Sequence, residues 1–231
     1  HPRRSAEDLL AFVLKKKRIE LYFDYDIPIE DHEMVFFRSL LKRRGLSEPF
    51  EYITEEIQFF DCSLGITKDV LIPRQETEIL LSKAMVAIVK EGGQNKILWD
   101  LCTGSGCLGI GAKKKCPDLE VTLSDLSIEA LACAQKNIEK NHLEIQVIQG
   151  DLFAPFHGKK AHFILCNPPY ISEEEYVTLD DSVKRFEPKN ALISGPSGYE
   201  FYSRLANDLP SHLYPGGKVF LEIGSGQGKM I

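Results

Sequence analysis

The chain has 231 residues, of which 43% are hydrophobic and 27% charged, with a formal net charge of −6. That length allows one well-packed domain with a small appendage, and the acidic balance excludes a wide basic surface for nonspecific nucleic-acid binding. No apolar run approaches the length of a membrane span and no signal peptide is evident, so we expect a soluble, cytoplasmic protein.

Six cysteines are distributed along the chain without a C-x-x-C pair and without a histidine at metal-ligand spacing. Several lie inside apolar segments, where a cysteine in a reducing compartment usually serves as a small buried hydrophobic residue. We therefore expect neither a disulfide framework nor a zinc or other metal site.

The predicted N-terminal part, residues 1–54, is helical. Ser5 and the acidic residues after it predict the start of a first helix, and apolar residues recur at helical spacing over 34–41 until Gly45 ends the pattern. Because so small a bundle is barely stable alone, we expect it to pack on another body and to recognise a partner.

The rest of the chain predicts a parallel, doubly wound α/β sheet over residues 73–231, joined to the N-terminal part by a β-hairpin linker over 55–72. Residues 79–89 are almost all apolar, which predicts a helix buried against that sheet. The predicted strands are 97–99, 121–123, 145–148, 162–165 and 218–223, and the further helices are 108–115, 128–140 and 199–213. Nothing after the last strand could cover or close the sheet, so we expect the C-terminal end of this domain to be missing.

A glycine-rich loop follows the first strand of the sheet. Residues 104–109 match G-x-G-x-x-G, and Asp125 ends the next strand at the spacing of a ribose-binding acid, a role that its position favours over a cap of the following helix. The loop alone would also suit an NAD-dependent dehydrogenase. Asp100, directly before the loop, instead offers a carboxylate to an ammonium group such as that of S-adenosylmethionine, and Leu152 would flank the adenine.

The run Asn167-Pro168-Pro169-Tyr170 follows the apolar strand 162–165. Each proline fixes φ and lacks an N–H, so the loop presents carbonyl oxygens on a rigid frame. Asn167 adds a side-chain carbonyl and Tyr170 a flat apolar ring. This combination predicts a pocket for a planar group that carries an NH2, either an amide or an exocyclic amine, in preference to a mere proline-stiffened turn.

Taken in order, these motifs at successive strand ends resemble the class I S-adenosylmethionine-dependent methyltransferases that act on nitrogen. Segments 70–78, 186–188, 198–202 and 221–224 resemble, more closely, the peptide chain release factor glutamine N5-methyltransferases, and the likeness extends over nearly the whole chain. The resemblance implies a Rossmann-like fold, S-adenosylmethionine as the cofactor, release factors as protein partners and methylation of the glutamine in their Gly-Gly-Gln motif.

Site residues follow from the same resemblance. It implies that the glutamine is bound by Asn167, Pro168, Pro169 and Tyr170, with Asn167, Pro168 and Tyr170 catalytic. It implies cofactor contacts from Asp100, Leu101, Cys102, Thr103, Gly104, Asp125, Leu152 and Asn167. Residues 1–54 correspond to the release-factor-recognition domain, and the missing end would carry the last two antiparallel strands.

The chain departs from this family at two positions and leaves two other functions open. Gln75 replaces a common proline, and Leu152 replaces a common tryptophan, which should weaken packing on the adenine. An adenine N6-methyltransferase acting on DNA or RNA could use the same pocket, although the acidic composition predicts no stable nucleic-acid binding. A noncatalytic binding protein is the other alternative, which the intact acids and Asn167 argue against.

Overall fold

The computed structural model of the chain describes residues 2–231 and divides into two compact units after Glu55. The first unit contains the helices α1 (Pro2–Val13), α2 (Glu20–Phe23), α3 (Asp31–Gly45) and α4 (Phe50–Thr54). Its small core is formed by the buried side chains Leu9, Leu40 and Ile53.

The first helix begins earlier than the sequence predicts. Proline is favoured in the first turn of a helix because its missing N–H has no partner there, and α1 begins at Pro2. Ser5 is therefore not a cap; its hydroxyl instead accepts a hydrogen bond from Arg44 Nε at 3.1 Å. A capping box formed by Glu30 and Glu33 begins α3.

The second unit opens with an antiparallel hairpin of β1 (Glu56–Phe59) and β2 (Cys62–Gly65). The further elements in chain order are α5 (Gln75–Lys90), β3 (Ile97–Leu101), α6 (Cys107–Lys115), β4 (Glu120–Asp125), α7 (Ile128–Lys140), β5 (Gln146–Gln149), β6 (Ala161–Cys166), β7 (Ile171–Ser172), α8 (Glu173–Tyr176), α9 (Asp181–Phe186), β8 (Ile193–Gly195), α10 (Glu200–His212) and β9 (Leu213–Leu221).

The main sheet is parallel throughout, with the strand order β5-β4-β3-β6-β9, which confirms the predicted doubly wound class. Alternate residues of β6 face opposite cores: Phe163 and Leu165 pack on one side, and Ile164 and Cys166 on the other. Burial on both faces explains why this strand reads as a continuous apolar run. Strand order reverses between β3 and β6, and ligands bind at such a switch point in open α/β sheets.

The helix α5 packs against the sheet through one face, which confirms the prediction of a helix buried against it. Leu81, Ala84 and Ile88 are fully buried, but Val86 and Val89 are 72% and 64% exposed. The apolar composition did not indicate this exposed face, because composition counts apolar residues without regard to the side of the helix on which each one lies. The pairing of β7 with β8, which follows the Asn-Pro-Pro-Tyr run, was not predicted.

Candidate functional site

One open cleft lies at the carboxyl ends of the central strands. It is lined by loops after β3, β4, β5 and β6, which the chain winding brings to one edge of the sheet. Seven of the predicted site residues contribute to its wall: Cys102, Thr103, Gly104, Asp125, Leu152, Asn167 and Pro169. Leu101 does not, because its side chain is fully buried in the core of the unit.

Asp100 is the penultimate residue of β3; it is fully buried and does not itself line the cleft, although it bonds to Thr103, which does. Its Oδ2 accepts hydrogen bonds from Thr103 Oγ1 at 2.6 Å and from the Gly109 N–H at 2.9 Å. Its Oδ1 is also buried and has no hydrogen-bond partner among the described residues. Burial raises the pKa of Asp100 to about 7, against the opposing effect of these two hydrogen bonds.

The raised pKa of Asp100 predicts a pH dependence of stability. A carboxyl group with a raised pKa in the folded state stabilises the fold below its unfolded pKa, and this stabilisation is lost as the pH rises through about 7. Asp100→Asn lacks this titration. As the pH rises from 4 to 8, the free energy of unfolding of the wild type should therefore fall by up to about 4 kcal/mol relative to that of Asp100→Asn. Urea unfolding at a series of pH values measures the difference. Asp118→Asn, at an exposed carboxylate, is the control; parallel curves for wild type and Asp100→Asn would contradict the raised pKa.

Asp125 ends β4 and holds the glycine loop in place. Its Oδ2 accepts a hydrogen bond from the Gly104 N–H at 2.8 Å, and its Oδ1 accepts one from the Ser127 N–H at 3.0 Å. Asp125 is therefore not itself the cap of α7, because Ser127 occupies that position; Asp125 hydrogen-bonds to the N–H of the capping residue and also lines the cleft. Burial raises the pKa of Asp125.

The backbone of the glycine loop leaves the cleft open. Gly104 has a φ of +54°, and a Cβ added there would meet no atom within 4 Å. Leu152, from the loop after β5, also has a positive φ, at +48°, and its buried side chain lines the same cleft. A ligand can thus approach the backbone of one loop and the side chain of the other.

Asn167 lies at the end of β6 in a network that the sequence does not reveal. Its Nδ2 donates a hydrogen bond to Thr77 Oγ1 at 3.4 Å, and the Thr77 hydroxyl donates to Glu222 Oε2 at 2.7 Å. Tyr170 donates from its hydroxyl to the other oxygen of Glu222 at 3.2 Å. The Oδ1 of Asn167 is buried and has no hydrogen-bond partner among residues 2–231.

Two further polar residues fix neighbouring backbone: Gln227 holds the Asn-Pro-Pro-Tyr run, and Glu187 holds the segment before α5. Gln227 Nε2 donates to the Tyr170 carbonyl at 2.9 Å, while Gln227 Oε1 accepts from the Gly224 N–H at 2.9 Å. Glu187 is almost fully buried and pairs with the Arg74 guanidinium. Acidic or amide residues beside apolar strands and prolines were the available sequence signal for Glu222, Gln227 and Glu187, but nothing local indicates their partners.

A second cleft reaches Asn167 and Tyr170 from another side. Its wall is largely apolar and includes Leu179 and Val183, and the Arg74 side chain also lines it. Tyr170 is half-buried, and burial together with the nearby Glu222 carboxylate raises its pKa to about 12. Asn167 thus separates two openings and can present a polar atom to a group that enters between them.

Two general features bear on what the site can hold. All six cysteines are free, and no group of three or more His, Cys, Asp or Glu side chains within residues 2–231 could hold a metal ion. Across the same part of the chain, no helix has both the length and the apolar character needed to cross a membrane.

Similar proteins have been identified from the sequence and from the fold. The model of the methyltransferase small domain matches residues 76–186, and that of the PrmC N-terminal domain matches residues 1–54. The release factor glutamine methyltransferase of Chlamydia trachomatis serovar D is 40% identical over 230 residues, which are 100% of this chain and 78% of that protein. Its counterpart from Rhodopirellula baltica is 37% identical over 228 residues, 96% of this chain and 77% of that protein.

The solved structures show similarity of fold. A methyltransferase from Pyrococcus furiosus matches with a TM-score of 0.52 at 17% identity, over 84% of this chain and 80% of that chain. At so low an identity this likeness supports the sheet architecture and says nothing of substrate.

Proposed function

This chain belongs to the release factor glutamine methyltransferase family, and on that premise we propose that it methylates the side-chain nitrogen N5 of the glutamine in the Gly-Gly-Gln motif of peptide chain release factors. The observation that carries the proposal is the buried, unpartnered Oδ1 of Asn167 between two clefts. A buried acceptor without a partner is costly, and the N–H group of a substrate amide is a donor that would satisfy it. The reaction would take place in the cytoplasm and affect translation termination.

The first cleft, together with the buried Asp100 that bonds to its wall residue Thr103, fits S-adenosylmethionine, the cofactor of this family. Asp100 Oδ1 is a buried acceptor without a partner, and Asp125 faces the cleft beside Gly104, whose backbone leaves space for close approach. A carboxylate suits an ammonium group and a ribose hydroxyl, and Leu152 offers apolar surface to an adenine. When bound, the cofactor supplies a methyl group on a positively charged sulfur.

The residues of the Asn-Pro-Pro-Tyr run are proposed to bind and orient the substrate amide. Asn167 Oδ1 and the Pro168 carbonyl accept its two hydrogens, and the Tyr170 ring lies against its plane. An amide nitrogen is a poor nucleophile because its lone pair is delocalised, and two acceptors on its hydrogens help to direct that lone pair. Alignment of reacting groups can contribute up to about 7–11 kcal/mol.

No side chain in this network is available as a general base. The raised pKa of Tyr170 keeps its hydroxyl protonated near neutral pH, and both oxygens of Glu222 already accept hydroxyl hydrogens. Orientation is therefore the contribution assigned to this chain. A glutamate at the same position would bring carboxylate oxygens against the acceptors, and polar sites of this type discriminate by roughly 10⁴–10⁵-fold.

Mass spectrometry of a release factor incubated with this protein and S-adenosylmethionine tests the proposal. A gain of one CH2 on the glutamine of the Gly-Gly-Gln motif is expected, and a release factor with alanine at that glutamine is the control. If the release factor gains nothing while a DNA or RNA adenine is methylated, the adenine N6-methyltransferase alternative replaces the proposal.

We further propose that the N-terminal helices, residues 1–54, recognise the release factor outside its Gly-Gly-Gln motif. The segment after α1 exposes several large apolar side chains, among them Phe23 at 75% and Tyr25 at 85%. Isolated exposed apolar residues are ordinary, but exposed aromatic residues close together in sequence are typical of a protein-binding surface.

Phe23→Ala should raise the KM for a whole release factor by about fivefold to tenfold, because truncating an aromatic anchor weakens binding while the reacting groups stay in place. Turnover of a short Gly-Gly-Gln peptide should not change. Val86→Ala, at an apolar residue of α5 that is 72% exposed, is the matched control. Steady-state kinetics with both substrates measures the effect, and an equal change for protein and peptide would contradict a recognition role.

A further inference from the structure

We propose that Thr77 and Glu222 are positioning residues that fix the orientation of the Asn167 amide and so make the site selective for an amide over a carboxylate. The proposal rests on the glutamine methylation proposed above. It follows from the direction of the two hydrogen bonds that connect Glu222 to Thr77 and Thr77 to Asn167.

Glu222 sets the direction of these hydrogen bonds because a carboxylate can only accept them. It is 7% exposed, and its two oxygens receive the hydroxyl hydrogens of Thr77 and Tyr170. Its backbone is held as well, since the Glu222 N–H donates to the Cys166 carbonyl at 3.0 Å and the Tyr202 hydroxyl donates to the Glu222 carbonyl at 3.1 Å. These two bonds hold the Glu222 main chain, while the carboxylate itself is placed by its bonds to Thr77 and Tyr170.

Thr77 determines which atom of the Asn167 amide faces it. It is 1% exposed, and its hydroxyl has a single hydrogen, which is donated to Glu222 Oε2 at 2.7 Å. Toward Asn167 the Thr77 oxygen can therefore only accept. The neighbouring amide must present its NH2 group, in agreement with the donation from Asn167 Nδ2 at 3.4 Å.

The orientation of Asn167 follows. With Nδ2 directed at Thr77, Oδ1 is the atom available to a ligand, and it is buried without a partner in the described chain. A flipped amide would set Oδ1 against the Thr77 oxygen, two acceptors with no hydrogen between them, and would present NH2 to the substrate. The NH2 group of a glutamine side chain can donate to Oδ1 in the first orientation. A glutamate side chain has only acceptors and would instead need the NH2 group of the flipped amide.

The hydrogen bonds that join Glu222, Thr77 and Asn167 are called the relay below. Thr77→Val tests it, because valine keeps the shape of threonine and removes the hydroxyl. Without it, the Asn167 amide can adopt both orientations. Affinities are measured for a release factor with glutamine in its Gly-Gly-Gln motif and for the same protein with glutamate there. The ratio of the two should fall at least about tenfold, and kcat with the glutamine form about 10–100-fold, the cost of a misplaced positioning group.

Thr77→Ser keeps the hydroxyl and is expected to restore both the affinity ratio and kcat. Tyr202→Phe is a matched structural control, since it removes another hydrogen bond to Glu222 without altering the relay. It should lower the melting temperature while leaving the affinity ratio within about twofold of the wild type, within the near-neutral range for residues outside a binding hot spot. If Thr77→Val does not fold, Thr77→Ala, which is smaller and also lacks the hydroxyl, takes its place.

The outcomes separate the relay from the proposed function. A folded Thr77→Val or Thr77→Ala with the wild-type affinity ratio overturns the relay, and so does a Thr77→Ser that loses the ratio. A wild-type protein that does not methylate the release factor at all contradicts the proposed function instead.

Discussion

Asn167→Ala is expected to abolish detectable methyl transfer, a loss of at least about 10²–10³-fold, as when one oriented polar partner of a reacting group is removed. The substitution removes Oδ1, the buried acceptor proposed to bind the substrate amide, and leaves the prolines and the Tyr170 ring in place. Cofactor binding should weaken only modestly, because Asp100, Asp125 and the glycine loop are unchanged. Single-turnover kinetics and calorimetric titration with S-adenosylmethionine measure the two effects separately.

Asn190→Ala is the control for this substitution. Asn190 is an exposed asparagine that lines the same cleft, so the change in composition is identical. It should keep most of the turnover, because its side chain makes none of the contacts assigned to Asn167. Turnover by Asn167→Ala at the wild-type rate would remove Asn167 from the mechanism.

Gly198→Ala should both destabilise the fold and impair turnover. Gly198 has a φ of +84°, and a Cβ there would lie 2.8 Å from the carbonyl oxygen of Tyr170 and 3.2 Å from Gln227 Nε2, which donates to that oxygen. The strained backbone and the overpacking together should cost about 2–5 kcal/mol. The Tyr170 carbonyl cannot give way without moving the loop that is proposed to bind the substrate, so activity should fall with stability.

Gly216→Ala separates the two causes. Gly216 has a similar φ, +80°, but a Cβ there would meet no atom within 4 Å. It should show only the backbone cost, about 1–3 kcal/mol, and retain activity once folded. Urea unfolding and turnover of both variants make the comparison; equal losses of stability at the two positions would show that the approach to Tyr170 has no cost.

The sequence by itself determined the class of fold and the position of the site. Alternating apolar strands and amphipathic helices predict a doubly wound sheet, and the predicted helix 128–140 agrees with α7 at both ends. In a parallel sheet the carboxyl ends of the strands lie at one edge, so motifs that follow successive strands must converge. Cys102, Asp125, Leu152 and Asn167 line one cleft for this reason.

Only the tertiary structure decided how the amide of Asn167 is oriented. Its partner Thr77 lies 90 positions before it in the sequence, and Thr77 is separated by 145 positions from its own partner, Glu222. Periodicity and turn propensity act over a few residues, so they report where a strand ends but not which hydroxyl meets which carboxylate. Those pairings are set when α5 and the segment after β9 pack behind the loop. The edge of the sheet that carries the candidate site was therefore predictable, while the hydrogen bonds that orient Asn167 depend on the packed fold.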